Sequence, residues 1–452
     1  MLVTPSTTST TYTYKSIWNI AWPLMLSGAG QTINSVMDTA FMGRIGEVEI
    51  GASAIGSMYF FTITMAVMGF CTGLQILIAR AHGENNYTQI GAITSFGLLT
   101  LLLAGIACFG ANIIFGKYLL RFIVQSDNVY EAVQQFFNYR VYGYFTLFLL
   151  LGFRAFFLGI GNTRIIGIVT GISALLNFVF NYVFVFGKFG FAPMGIAGSG
   201  LATTLAELIA VAIIVVYSFN NNEFRTRFNL FTTTLPTKEV MWQTTLTAMP
   251  LMLQFFISMF SWFLFFIIIE QTGEHNLAIA NVTRSVYMVT MVALIAMGSV
   301  TSTIVSNLIG QNKRDEILPT LQKIVGLSLL CSVVICTVVV VFLPQLLSLF
   351  STSQALLNDT YNSIYIILIA TLFFAVAFVY MSAVSGTGDT KASLVIEIFT
   401  LVVYLSFTYV LAIYLRQPLE VVWCNEFVYF ILMGAVSYWY LLRKLKTKLL
   451  TV

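Results

Sequence analysis

Charge is what this chain has least of. Its 452 residues include 22 Lys and Arg and 18 Asp and Glu, 9% in all, against about 25% in soluble domains. A water-soluble fold is excluded on that ground. Histidine is almost as scarce, with only His82 and His275. Without an HExxH or a nucleophile elbow, a membrane-embedded enzyme has little to work with, and no enzymatic activity is expected. No GxxxxGK[ST] occurs, so ATP is not expected as the direct energy source, and no cofactor is expected either. The five cysteines (Cys71, Cys108, Cys331, Cys336, Cys424) lie in apolar segments without metal-ligand spacing and read as small core residues. The polar leader 1–16 has no basic region ahead of a short apolar run and cleavage site, so no removable signal peptide is expected.

What fills the chain instead is apolar: 58% hydrophobic residues, 40 of them Phe. The runs exceed the ~10 residues of a membrane strand, so the spans are helices. Hydropathy predicts twelve, at 17–42, 51–79, 90–116, 131–158, 164–187 and 195–219, then 241–270, 276–309, 318–343, 360–385, 391–415 and 418–442. The expected fold is an all-α integral membrane protein. A cytoplasmic leader (1–16) precedes an N-lobe of six helices (17–219), a cytoplasmic linker (220–240), a C-lobe of six helices (241–442) and a basic cytoplasmic tail (443–452). Fifteen Lys and Arg fall on the inner side of this plan. Only Arg44, Lys117, Arg121, Lys188 and Arg416 fall on the outer side. That bias puts both termini in the cytoplasm of a multi-pass protein of the inner (plasma) membrane. Arg284 is the only basic residue the plan sets well inside a span. The tail RKLKTK is read as an anchor at anionic lipid, with no nucleic-acid partner expected.

The halves repeat. Pro23-Leu-Met matches Pro250-Leu-Met, 250 − 23 = 227; Gly83 matches Gly310, 310 − 83 = 227; the turns GIGNTR and GTGDTK match, 388 − 161 = 227. An even number of spans per half makes the repeat parallel, with a pseudo-two-fold axis along the membrane normal. Transporters commonly set the substrate path between such halves. Pro23 and Pro250 each lack a backbone donor and are expected to kink their helices.

The stretch from Trp18 to Gly43 is long enough to cross a bilayer and carries one carboxylate, Asp38. A carboxylate inside a span is costly and marks a candidate functional site. In the fifth span Asn177 and Asn181 lie four apart on one helix face; in the sixth, Ser199, Thr203 and Glu207 form one polar stripe. At 1.5 Å per residue, Asp38, Asn177, Asn181 and Thr203 all fall roughly 7–15 Å from the outer end, with Glu207 deeper. One carboxylate, two amides and a hydroxyl suit a small cation, with a proton on Asp38 as competitor. The alternative at each amide is a bond that merely bridges helices.

These landmarks together resemble the multidrug and toxic compound extrusion (MATE) family of secondary transporters, bacterial type, over nearly the whole chain: the first-span proline with Asp38 and FMGRIG, then ARAHGENN, GIGNTR, LLNFVFNYVFVFGKFG and GIAGSGLATT. The resemblance implies two six-helix bundles and a Na+ site at Asp38, Asn177, Asn181 and Thr203. It departs from one branch, whose seventh and tenth spans carry acids; Ser258 and Phe374 stand there in this chain. Glu207, Arg284, Glu397 and Glu426 are candidates for substrate contact or proton relay, or equally for packing polar groups between helices. The expected function is a Na+- and/or H+-coupled antiporter that exports amphipathic or cationic small molecules, acting as a monomer in the lipid bilayer. The alternatives are a channel and a lipid-linked oligosaccharide flippase; the flippase calls for a strongly cationic cavity.

Overall fold

The computed structural model describes residues 12–230, 236–348 and 354–446. Most of the 1–16 leader, part of the 220–240 linker and the end of the 443–452 tail lie outside them. Among the described residues there is no strand. The helices are α1 Tyr14–Gly43, α2 Glu47–Gly83, α3 Tyr87–Ile123, α4 Asp127–Arg140, α5 Gly143–Gly159, α6 Arg164–Phe186, α7 Ile196–Asn220, α8 Lys238–Glu270, α9 Glu274–Gly310, α10 Ile317–Val341, α11 Leu343–Ser348, α12 Gln354–Gly386, α13 Thr390–Tyr409, α14 Leu419–Val422 and α15 Asn425–Lys446.

Ten of these stretches are long and apolar enough to cross a bilayer, and α4 with α5 makes an eleventh, bent by 54°. The thirty-residue α1 completes the expected twelve; Asn19, Ser27, Gln31, Asn34 and Asp38 make it more polar than the others. Pro23 and Pro250 both sit inside uninterrupted helices. The repeat is written into the backbone. Helices α2 and α9 begin at Glu47 and Glu274 and end at Gly83 and Gly310, with 274 − 47 = 310 − 83 = 227. Positive φ recurs at the same interval: Asn85 and Asn312 at 56° and 59°, Gly161 and Gly388 at 76° and 86°, Phe189 and Arg416 at 56° and 47°. Gly161 and Gly388 are thus the left-handed corners of two tight turns, a conformation glycine adopts at no steric cost.

Two compact units emerge, one of residues Leu26–Phe256 and one of residues up to Met25 together with those from Ile257 onward. The division cuts α1 and α8, not the 220–240 connection. In the Leu26–Phe256 unit, α6 packs along α7. Gly198 makes that approach close: a Cβ there would lie 2.8 Å from the Phe184 backbone carbon. The linker is also more apolar in effect than its sequence suggests. Its turn Glu223–Arg227 delivers Phe224 and Phe228, nearly fully buried, edge-on to Phe156 of α5.

In the other unit α9, α12 and α15 form the core, with Val282, Val286, Val339, Leu343, Leu347, Ile364 and Leu368 packed at one end. Tyr12 is fastened to it: its hydroxyl donates to Asn307 Oδ1 at 3.0 Å and its carbonyl accepts from Lys323 Nζ at 3.0 Å. Asp389, which caps α13 through the Ala392 N–H at 3.2 Å, also accepts from the Tyr440 hydroxyl and from Lys444 Nζ at 2.8 Å. Burial alone would raise the Asp389 carboxyl; the bonds from Lys444 and Tyr440 outweigh it and hold the group below the ordinary carboxylate range.

Candidate cation site

The i, i+4 spacing on α6 does what helix geometry requires and stacks Asn177 and Asn181 on one face, 2% and 0% exposed. Asn181 Nδ2 donates to Asp38 Oδ1 at 2.8 Å, to the Asn177 carbonyl at 3.0 Å and to Asn177 Oδ1 at 3.2 Å. Asn177 Nδ2 in turn donates to Thr203 Oγ1 at 3.0 Å, and Thr203 donates to the Ser199 carbonyl at 3.0 Å. Asp38, Asn181, Asn177, Thr203 and Ser199 therefore form one continuous polar chain across α1, α6 and α7. Ser199 enters it through its backbone. Among the described residues no basic side chain forms an ion pair with the half-buried Asp38.

Two acceptors at this site are left over. Asn181 Oδ1 is buried with no hydrogen-bond partner, and so is Oδ1 of Asn34, one turn before Asp38 on α1. Buried amide oxygens rarely go unpartnered. With the Asp38 carboxylate, Asn181 Oδ1 gives hard oxygen donors suited to an alkali cation, and Asn34 Oδ1 lies one turn before Asp38 on α1. Asn34 was missing from the sequence-based site, although its i, i+4 spacing to Asp38 was the available signal.

Glu207, one turn along α7 from Thr203, belongs to a different arrangement. Arg140 grips it with Nη1 at 2.8 Å and Nη2 at 2.9 Å, Thr146 donates at 2.9 Å, and the guanidinium lies 3.9 Å from the centre of the Phe60 ring. This corrects the expectation that Arg284 is the only basic residue well inside a span. Arg140 closes α4 at the 54° bend, where the 131–158 span breaks. The charge tally held the clue, since fifteen inner and five outer residues account for only 20 of the 22 Lys and Arg.

The remaining candidates lie in the other unit. Glu397 accepts from Ser258 Oγ at 2.5 Å and Tyr429 OH at 3.0 Å, and Glu426 accepts from Tyr404 OH at 3.1 Å and Tyr287 OH at 3.2 Å. Phe374 packs between Phe378 and Phe430. Arg284 lies over the Phe266 ring at 5.0 Å, its Nε without a hydrogen bond.

The chain matches the MatE family model over residues 23–183 and 250–410, two segments related by 250 − 23 = 227. A relative in Thermotoga maritima, "Probable multidrug resistance protein NorM", is 21% identical, the match covering 84% of this chain and 82% of the relative. "Probable multidrug resistance protein YoeA" of Bacillus subtilis is 23% identical, with 89% and 87% covered. Among solved structures, an outward-facing multidrug resistance MATE family transporter of the MOP superfamily superposes with a TM-score of 0.88 at 17% identity, covering 96% of each chain. A variant of the Vibrio cholerae MATE transporter VcmN gives 0.85, covering 97% of this chain and 98% of that one. With twelve candidate spans among the described residues, a repeat at an offset of 227 residues and a family match over both halves, this multi-pass membrane protein belongs to the MATE family of transporters.

Proposed function

We propose that this chain is a cation-coupled antiporter that exports amphipathic, often cationic, small molecules by alternating access, and that Na+ is the coupling ion at Asp38, Asn177, Asn181 and Thr203. The observation that carries the reading is the unpartnered amide oxygen of Asn181, whose Nδ2 bonds the Asp38 carboxylate, with a second unpartnered oxygen, Asn34 Oδ1, one turn before Asp38 on α1. A proton would satisfy one acceptor, whereas a cation engages several at once. The ion drives the cycle through its difference in affinity between the two conformations. The relatives named as multidrug resistance proteins support drug-like substrates. The positive-inside bias supports a plasma-membrane location with both termini in the cytoplasm.

The flippase alternative calls for free intramembrane cations. Arg140 does not supply one, because both of its terminal nitrogens are taken by Glu207, and Arg284 alone does not make a strongly cationic cavity. The test is efflux of a fluorescent organic cation from energised vesicles under separately imposed Na+ and pH gradients. Efflux driven by the Na+ gradient is expected. Efflux that follows only the pH gradient overturns sodium coupling, and no efflux under either gradient overturns the antiporter.

A further inference from the structure

We propose that the unit containing Ile257–Val452 carries a loading site of its own, a proton-binding site shared by the carboxyls of Glu426 and Glu397. Both residues are almost fully buried, at 3% and 4% exposure. Their partners are all neutral hydroxyls: Tyr404 and Tyr287 on Glu426, Ser258 and Tyr429 on Glu397. The rings of Tyr404 and Tyr429 lie 5.3 Å apart and join the two groups into one cluster.

Among the described residues no positive charge pairs with this cluster. Within this unit α8 has none before its end at Glu270, α12 carries no ionised type between Asp359 and Gly386, and α13 offers only Glu397 after Lys391. Helix α15 has no basic residue before Arg443, and α14 brings only Glu420. Helix α9 contributes Arg284, which turns over Phe266 and makes no ion pair among the described residues. Two bare carboxylates in such a place are strongly disfavoured, and hydroxyl donors do not offset them. The cluster therefore has to be neutralised from outside.

A second observation bears on the neutralising species. Asn425 is fully buried, its Nδ2 donates to Thr408 Oγ1 at 2.6 Å, and its amide touches the Tyr404 hydroxyl, yet its Oδ1 has no partner. That unused acceptor belongs to the residue just before Glu426 on α15; a protonated carboxyl brings a donor to the cluster, which a carboxylate cannot. A metal ion would need several oxygens and room for them. Here the surroundings are aromatic, with Trp262 stacked on Tyr287 at 5.9 Å and Phe265 against Trp423 at 4.9 Å. A proton needs no cavity. It is taken from and returned to the aqueous phase. Its loss strengthens the bonds from Tyr287 on α9 and Tyr404 on α13 to α15, so loading bears on how those three helices pack.

The direct test is infrared spectroscopy of the purified full-length Asp38→Asn variant in lipid, a background that removes the other unpaired intramembrane acid. A protonated-carboxyl band at neutral pH is expected that bleaches on alkalinisation and is lost in part with Glu426→Gln and wholly with Glu426→Gln plus Glu397→Gln. Tyr404→Phe removes a donor to the carboxylate, so the band should persist to a pH at least one unit higher than in the background protein. A band absent at neutral pH, a band indifferent to both Gln substitutions, or bleaching by Na+ at fixed pH overturns the proposal. The proposal rests on the antiporter reading only in its consequence for transport. The infrared result stands without that reading: failed efflux with a normal band counts against the antiporter, and normal efflux without a band counts against this site.

Discussion

Arg140→Met should destabilise the protein more than the double variant Arg140→Met, Glu207→Gln. The single change strands a carboxylate that is 8% exposed and has lost two charge-assisted bonds of 2.8 and 2.9 Å, keeping only Thr146. Removing one partner of a buried pair costs about 3–5 kcal/mol, while replacing both with neutral groups is often close to neutral. The double variant still loses the guanidinium over Phe60 at 3.9 Å, worth roughly 2 kcal/mol when desolvated. The double variant should therefore recover at least about 1 kcal/mol relative to the single one. At roughly 2–4 °C per kcal/mol for a unit of this size, Arg140→Met should lower the melting midpoint by about 6 °C or more. The assay is thermal unfolding of the detergent-purified protein, read by size-exclusion recovery. A single variant that melts with the unmodified protein, or a double variant less stable than Arg140→Met, would refute the reasoning.

Three further outcomes are expected. Asn181→Ala removes the amide that bonds Asp38 at 2.8 Å and should weaken the Na+ response of efflux at least tenfold before drug binding changes, a loss of about 1.4 kcal/mol; equal loss of both in equilibrium binding assays counts against it. A cysteine at Asn221, in a background without the five native cysteines, should resist a membrane-impermeant maleimide added outside intact cells; clear external labelling sinks the cytoplasmic linker. Asp389→Asn should lower stability at neutral pH. The native carboxyl is held below its ordinary range, so its contribution is complete above the unfolded value of about 3.9 and is lost as pH falls through the folded one. The two proteins should melt alike in strong acid, and a gap that persists there contradicts the role of Lys444.

Residues at fixed local spacing were legible in the sequence. Asn177 and Asn181 share a face because a helix turns every 3.6 residues, and that face meets Asp38 because a family-like order of spans brings α1 to α6. The repeat was equally plain, since turn chemistry recurs wherever a positive φ must recur. Pairings over long separations were not legible. Ser258 stood out as a position without an acid, and the structure brings it one from Glu397, 139 residues away. Arg140 was hidden because an apolar window averages over a single charge, and its partner lies 67 residues further on. The burial of Phe224 and Phe228 was not legible for the same reason: the surface they cover belongs to α5. Nor does composition say that the two compact units divide within α1 and α8.

The central claim is that the Asp38 carboxylate is where ion loading becomes drug movement. Its most direct measurement is gradient-driven efflux by Asp38→Asn, reconstituted at the same density as the unmodified protein and checked for normal folding. Asparagine keeps the shape and the bond to Asn181 but removes the charge that a cation neutralises. The account predicts a well-folded protein that still binds drug, has lost Na+ binding at this site, and exports nothing above leak under a Na+ gradient. Near-normal pumping by that variant would show that the carboxylate is structural and contradict the account.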